Sequence, residues 1–243
     1  RYKVFNEELG ATQTPGESRH RRDVDPFDAY CDHLLVIDLE RGDAAKPCVV
    51  GTYRMLRGET AKTSTGFYSA DEFDLSPLLT YPGEIMELGR SCIEAQYRRR
   101  GAMQLLWAGI AEYITQHDVG VMFGCGSLHG TEPAEVKLPL AYLHHYHTAP
   151  DHLCPRALEH RCVPMGAIEK DEFDTKRALS ELPPLLKGYL RLGGYVGAGA
   201  VIDTAFNTID VCVVVETKNL SHAYNRHFVR DRAAAQQTGA AAA

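Results

Sequence analysis

Several features are scarce in this 243-residue chain, and each scarcity removes a class of function. Positive charge is not in excess. Lys and Arg number 26 against 32 Asp and Glu, a net charge of −6. A chain-wide electrostatic footprint for nucleic acid is therefore missing, and no nucleic-acid partner is expected. Long apolar runs are also missing; none approaches the roughly 20 residues that span a bilayer. No secretory signal is visible. The seven cysteines (Cys31, Cys48, Cys92, Cys125, Cys154, Cys162 and Cys212) are odd in number and include no CxxC pair. That pattern reads as reduced thiols in a cytoplasmic protein and not as a disulfide framework.

What is present suits an ordinary globular chain. Hydrophobic residues make up 44% of it, enough for a sizeable core. Its length suits one large domain or one domain with an extension. No internal repeat or linker breaks residues 1–230, which are expected to form a single domain. The Ala-rich tail over 231–243 is expected to be disordered.

Hydrophobic periodicity places the elements. Residues 1–8 read as the end of a helix with Val4 and Phe5 turned inward, followed by a long polar loop to Asp25. HLLVID (33–38) and CVVGTYRML (48–56) alternate as strands and form a hairpin. VGVMFGC (119–125) reads as a buried strand, and its βα crossover predicts a parallel neighbour. Helices are expected over 133–146, 183–192 and 220–228, strands over 154–164 and 210–215, and a partly helical stretch over 174–182. The pattern is a mixed sheet with helices on its faces, α/β or α+β.

The most informative stretch is Glu84–His117. It opens as an alternating strand, passes through Gln96–Ala102, and continues with Leu105, Leu106, Gly109, Ile110, Tyr113 and Ile114 on one helical face. A strand, a basic glycine turn and a helix together present free backbone N–H groups to a phosphate. The helix dipole adds positive potential at the same end. A second basic cluster lies at Arg19–Arg22; both clusters suit an acidic carrier protein or an anionic lipid.

Arg98-x-x-Gly101 in this stretch resembles the pyrophosphate loop of the GCN5-related N-acyltransferase superfamily, with Met103 where the pattern has Gly or Ala. Glu87-Leu-Gly-Arg90 resembles the E-x-x-R of two branches that take acyl groups from acyl carrier protein. These are the acyl-homoserine-lactone synthases and the bacterial ornithine N-acyltransferases. Arg1-x-x-x-Phe5, Asp25-x-x-Asp28 and Arg54 stand in the order that the first branch carries them. The run Leu185–Gly193 and the later Phe206–Asp210 are similar to the second branch alone. The lone Trp107 also speaks against the first, whose N-terminal segment usually holds a tryptophan.

The resemblance implies an acyl-CoA N-acyltransferase fold: a mostly antiparallel central sheet with one splayed parallel strand pair, flanked by helices. It implies transfer of a 3-hydroxylated fatty acyl group to the α-amine of ornithine or a similar amino acid. The donor would be the acyl-phosphopantetheine of acyl carrier protein, with no permanently bound cofactor. The lipid product implies peripheral contact with the inner face of a membrane. Glu87 and Arg90 become the catalytic candidates, Glu87 as the base that takes the amine proton. Arg1, Phe5, Asp25, Asp28 and Arg54 become substrate-binding candidates. Arg98, Arg99, Arg100, Gly101, Ala102 and Met103 become the pantetheine loop. An acyl-homoserine-lactone synthase and a non-catalytic acyl-carrier binding module are the alternatives.

Two points remain open from the residues themselves. Glu87 and Arg90 are three apart in a strand, so they point to opposite faces unless a bulge intervenes. His152-x-Cys154 and His160-x-Cys162 form two i, i+2 pairs on an expected strand, but the spacing fits no zinc knuckle, and no metal is expected. In the run His144, His145, His147, adjacent rings diverge on a helix while His144 and His147 share a face, and a two-His metal site would want a third ligand.

Overall fold

A computed structural model describes residues 1–12, 19–99 and 101–220. The expected helix over 220–228 and the tail over 231–243 therefore lie outside the described residues.

The strands are β1 (Asp32–Gly42), β2 (Pro47–Arg57), β3 (Phe73–Asp74), β4 (Glu84–Ile93), β5 (Val119–His129), β6 (Arg156–Ala157), β7 (Cys162–Val163), β8 (Tyr195–Val196), β9 (Ala200–Asp203) and β10 (Thr208–Glu216). The helices are α1 (Gly58–Lys62), α2 (Ser76–Leu79), α3 (Ala102–Gln116), α4 (Lys137–His147), α5 (Thr175–Glu181) and α6 (Pro184–Arg191). An eight-stranded sheet runs β1-β2-β4-β5-β10-β9-β7, with β8 on β10. All of its pairings are antiparallel except β4 with β5. This is the mixed sheet with one parallel pair that the resemblance implies.

Each face of the sheet carries a core. Met55, Met86, Leu88 and Val213 pack against Leu106, Ile110 and Leu186 of α3 and α6 on one face. Leu56, Ile85, Phe123 and Val214 pack against Phe67, Phe73 and Leu78 on the other. Strand alternation therefore assigns Arg54 and Glu87 to the second face, beside Leu56 and Ile85. In α3, Leu106, Ile110 and Ile114 are buried at a spacing of four, but Leu105 is 60% exposed, contrary to the inward face expected for it. Asp174 caps α5, accepting from the backbone N–H groups of Lys176 (2.8 Å) and Arg177 (3.4 Å).

The stretch 154–164 is not the continuous strand expected. It breaks into β6 and β7 around a 3₁₀ turn, Glu159–Arg161. Pro155 and Pro164 bracket it, and proline has no N–H to give a ladder. No helix among the described residues is long and apolar enough to cross a membrane.

The parallel pairing is short. It runs from Glu84–Val119 to Glu87–Phe123, after which the strands part. At the parting, a Cβ on Gly124 would lie 2.1 Å from the carbonyl oxygen of Leu88, so only glycine fits. Gly124→Ala is expected to cost at least about 1–3 kcal/mol by overpacking. Gly188→Ala, in α6 with nothing nearer than 3.9 Å, is expected to gain up to about 1 kcal/mol of helix propensity. Urea denaturation of both variants checks the pair.

Candidate active site

Glu87 is the last β4 residue paired with β5. Its side chain is buried and accepts two backbone N–H groups, from Tyr68 (2.9 Å) and Ser69 (2.7 Å). These donors open a 3₁₀ turn, Tyr68–Asp71, laid on the second face of the sheet. Burial pushes the Glu87 carboxyl above its ordinary range; the Ser69 and Tyr68 donors and the nearby Arg54 guanidinium oppose the shift.

A bulge answers the question of faces. Thr52 pairs with Cys92 and Arg54 with Gly89, so β4 carries one residue more than β2 over this interval. Arg90 lies there at φ +51, in the left-handed region. The extra residue brings the Arg90 guanidinium to Glu87's side of the sheet. It lies 5.1 Å from the centre of the Tyr68 ring, which Arg54 also approaches at 5.7 Å.

Three arginines and three aspartates interlock beside Glu87. Arg1 pairs with Asp23 (2.5 Å) and with Asp28 (2.7 Å), Arg54 with Asp25 (2.5 Å) and Asp28 (3.0 Å), and Arg90 with Asp25 (2.9 Å). Burial opposes the charge on Arg1 and Arg54, but the carboxylates overcome it and both pKa values move up. Burial likewise works against ionised Asp28, and the Arg1 guanidinium overrides it, bringing the carboxyl to about 2. Asp25 and Asp28 thus spend their oxygens on guanidiniums. Phe5 joins through Phe206, edge to face at 5.8 Å, and Phe206 lies 4.4 Å from the Arg90 guanidinium. The structure therefore brings together Glu87, Arg90, Arg1, Phe5, Asp25, Asp28 and Arg54. Asp23, which no motif marked, belongs with them.

The basic turn stands apart from this network. Gly101, at φ +81, precedes α3 in the left-handed conformation that glycine adopts freely. Ala102 is buried and Met103 packs against the core, so Met103 turns its side chain inward. Arg98 donates to the Ile93 carbonyl (3.0 Å) and pairs with Glu8 (2.5 Å), while Arg99 is exposed. Arg100 lies outside the described residues.

A cavity of about 220 Å³ opens where β4 and β5 part. Glu87, Gly89, Arg90 and Ser91 line one wall; Cys125 and Ser127 of β5 line another. Sequence reasoning missed its floor. Asp203 and Asp210, both buried, line it, and Glu72 lies behind them. Oxygens of Glu72 and Asp210 and the Cys125 sulfur lie within 4.8 Å of one another. Burial, with the Asp210 charge adding to it, pushes Glu72 up to about 7. Burial pushes Asp210 up to about 6. Alternating polar residues in an otherwise apolar β10 were the available signal. The histidine–cysteine pairs form no such group: Asp151–Leu153 and Glu159–Arg161 are 3₁₀ turns, so the pairs do not share a strand face.

Two outcomes are expected from these charges. Arg54→Met takes one of two guanidinium partners from each of Asp25 and Asp28, leaving Arg90 on the first and Arg1 on the second, and should cost about 3 kcal/mol in urea denaturation. Arg54→Lys should recover only part of it, since a point charge cannot replace the fork. The second concerns pH. Glu72 and Asp210 bind their protons more tightly folded than unfolded. Their contribution to stability is full below their ordinary pKa values and is lost as pH rises through about 6 and about 7. Asp28 acts oppositely, losing its contribution as pH falls toward about 2. The Tm should therefore fall from about pH 5 to about pH 8, and Glu72→Gln should flatten the slope. A flat Tm across that window in the unaltered chain would contradict the assignment.

Residues 1–108 match the family model described as an acetyltransferase (GNAT) domain. An L-ornithine N(alpha)-acyltransferase of Brucella abortus (strain 2308) is 45% identical over 230 residues, covering 94% of this chain and 82% of the relative. The enzyme of the same name from Rhizobium meliloti (strain 1021) is 43% identical over 233 residues, 95% of this chain and 79% of the relative. That of Rhodobacter capsulatus is 40% identical over 230 residues, 95% and 88%. With identity at this level across nearly its whole length, the chain is an N-acyltransferase and belongs to the L-ornithine N(alpha)-acyltransferase family.

Proposed function

We propose that this enzyme moves a fatty acyl group, 3-hydroxylated in its native donor, from acyl carrier protein to the α-amine of ornithine, yielding the lyso precursor of an aminolipid. The observation that carries the reading is the buried Glu87 carboxylate in the wall of the cavity at the strand parting. An amine is mostly protonated at neutral pH and cannot attack until a base takes a proton. The raised pKa of Glu87 makes it a stronger base than an ordinary carboxylate.

The amine nitrogen attacks the thioester carbonyl, its C–N bond forms, and the C–S bond breaks as the pantetheine thiol leaves with a proton. Past Glu87, β4 has left its ladder with β5, and in this reading a strand N–H between Gly89 and Cys92 donates to the tetrahedral oxyanion. Arg90 borders the same cavity wall. The network of Arg1, Asp23, Asp25, Asp28 and Arg54 holds Arg90 in its strained backbone conformation and so shapes the acceptor's side of the cavity. Phe5 and Phe206 close that side.

The donor's pantetheine runs to the Arg98–Met103 turn at the start of α3. The carrier is acidic, and the basic rim suits it: Glu7 pairs with Arg21 and Glu8 with Arg98, so one turn of chain links the two basic clusters. The product's acyl chain brings the enzyme to the inner face of the membrane.

One assay tests the reading. Purified enzyme and its Glu87→Gln variant are given ornithine with acyl carrier protein and coenzyme A thioesters of one chain length. The carrier thioester should have the higher kcat/KM. The variant should lose roughly 10²–10⁴-fold in kcat, with the residual rate climbing with pH as free amine accumulates. Thermal melts run alongside, because glutamine turns one acceptor oxygen into a donor facing a backbone N–H. Equal donor efficiencies would refute the carrier, and a near-normal rate at neutral pH would refute the base.

A further inference from the structure

The cavity is electrically uneven, and its unused polar atoms show how. Among the described residues, five buried side-chain nitrogen or oxygen atoms lack a hydrogen-bond partner. Three of them, Arg90 Nε, Thr208 Oγ1 and Asp210 Oδ1, belong to residues lining this one cavity. A buried polar group without a partner is costly, so natural sequences rarely keep one that serves nothing. Asp210 is only 4% exposed, and a carboxylate oxygen there cannot turn to bulk water.

The neighbours explain why no cation of the protein satisfies it. The guanidinium of Arg161 nearby donates to Glu72 (3.4 Å) and to the Ile202 carbonyl (3.4 Å). Asp203, paired through Thr208 with β10, spends Oδ1 on the backbone N–H groups of Ala205 (2.8 Å) and Phe206 (3.1 Å). On the opposite wall, Arg54 and Arg90 are answered by aspartates of their own. The cavity thus holds a surplus of negative charge concentrated at Asp210 and Asp203. A metal ion is a poor occupant. Cys125 donates its thiol proton to Glu72 (3.3 Å), and burial holds that thiol far above the range in which it would ionise and ligate.

We infer that Asp210, supported by Asp203, binds the side-chain ammonium of the acceptor amino acid and so selects a dibasic substrate. This rests on the transfer reading above and adds to it the residue that recognises the acceptor. The spacing agrees. Ser69 gives its N–H to Glu87, and its hydroxyl lies 3.4 Å from the Cys125 sulfur. That sulfur is in turn within 4.8 Å of the Asp210 carboxylate. Ser69 and Cys125 therefore stand between the carboxylate that takes a proton from the α-amine and the carboxylate that holds the second amine, and both carboxylates line the one cavity. Two amino groups on one aliphatic chain can thus meet two separate carboxylates within one cavity. Arg90 Nε, which faces Asp23 at 3.7 Å but makes no hydrogen bond, keeps its donor for the acceptor's carboxylate.

The test compares ornithine with norvaline, the same carbon chain without its terminal amine, as acceptors for wild type and Asp210→Asn. Ornithine binding to each protein without donor is measured by calorimetry. Wild type should favour ornithine by about 10²-fold or more in kcat/KM, and Asp210→Asn should erase most of that ratio and the ornithine heat. Asp210→Glu, which advances the charge by one methylene, should move preference toward 2,4-diaminobutanoate, one carbon shorter. A folded Asp210→Asn with an unchanged ornithine-to-norvaline ratio overturns the inference while leaving acyl transfer intact. If wild type acylates neither acceptor, the transfer reading fails instead. The calorimetry then decides alone: heat lost in Asp210→Asn supports the ammonium site, and equal or absent heat overturns it. Should Asp210→Asn fail to fold, the shift in Asp210→Glu decides, and an unmoved preference counts against the site.

Discussion

The site depends on a pairing that stops. β4 and β5 run parallel only as far as Glu87 and Phe123, and Gly124 lets the backbones touch at the point where they separate. A sheet interior normally has no room for substrate, because every N–H and C=O is answered by the next strand. Ending one ladder early, inside a sheet stiffened by β2 on one side and β10 on the other, opens a cavity and leaves backbone groups free at its edge. The cavity walls remain rigid because the outer ladders continue past the gap.

The bulge at Arg90 is the second device on the same strand. It puts a non-glycine residue in left-handed backbone, a conformation worth of order 1–3 kcal/mol of strain, and the ion pairs to Asp23 and Asp25 hold it there. The interlocked charges serve position more than stability. A buried ion pair about breaks even against apolar packing, whereas its loss is expensive. Six charges of alternating sign also cancel, so this wall of the cavity contributes little net field. The acidic floor is cancelled only in part, Arg161 pairing with Glu72 while Asp203 and Asp210 are left over, and that asymmetry gives the cavity its preference for a cation.

Family membership and local chemistry agree in one further respect. The relatives are named for an acceptor carrying two amino groups, and the cavity presents two separate carboxylates on one face of the sheet, one on β4 and one on β10. The motifs of the N-terminal half account for the first. The second lies on strands near the C-terminal end, outside the matched GNAT domain of residues 1–108.

The amino-acid order by itself determined the hairpin of β1 and β2, the strand–turn–helix of β4 and α3, the parallel neighbour of β5 and the buried run of β10. Those signals are periodicity, proline and glycine, and they act over a few residues. It also marked Glu87, Arg90, Arg54, Arg1, Asp25 and Asp28, because they fall in a recognisable order. Only the tertiary structure decided how these charges face. The alternation of a regular strand sets Arg90 opposite Glu87, and a single inserted residue, paired against β2, reverses that. Asp25 and Asp28 looked free to meet an amine until the fold brought three guanidiniums onto them from distant positions, Arg1 and Arg54 standing 27 and 26 positions from Asp28. Asp210 read as a polar residue at the start of an apolar strand. What makes it a site is that Glu72, Cys125 and Asp203 converge on it from three other segments while none of the three supplies a cation, and convergence of that kind leaves no trace in local periodicity.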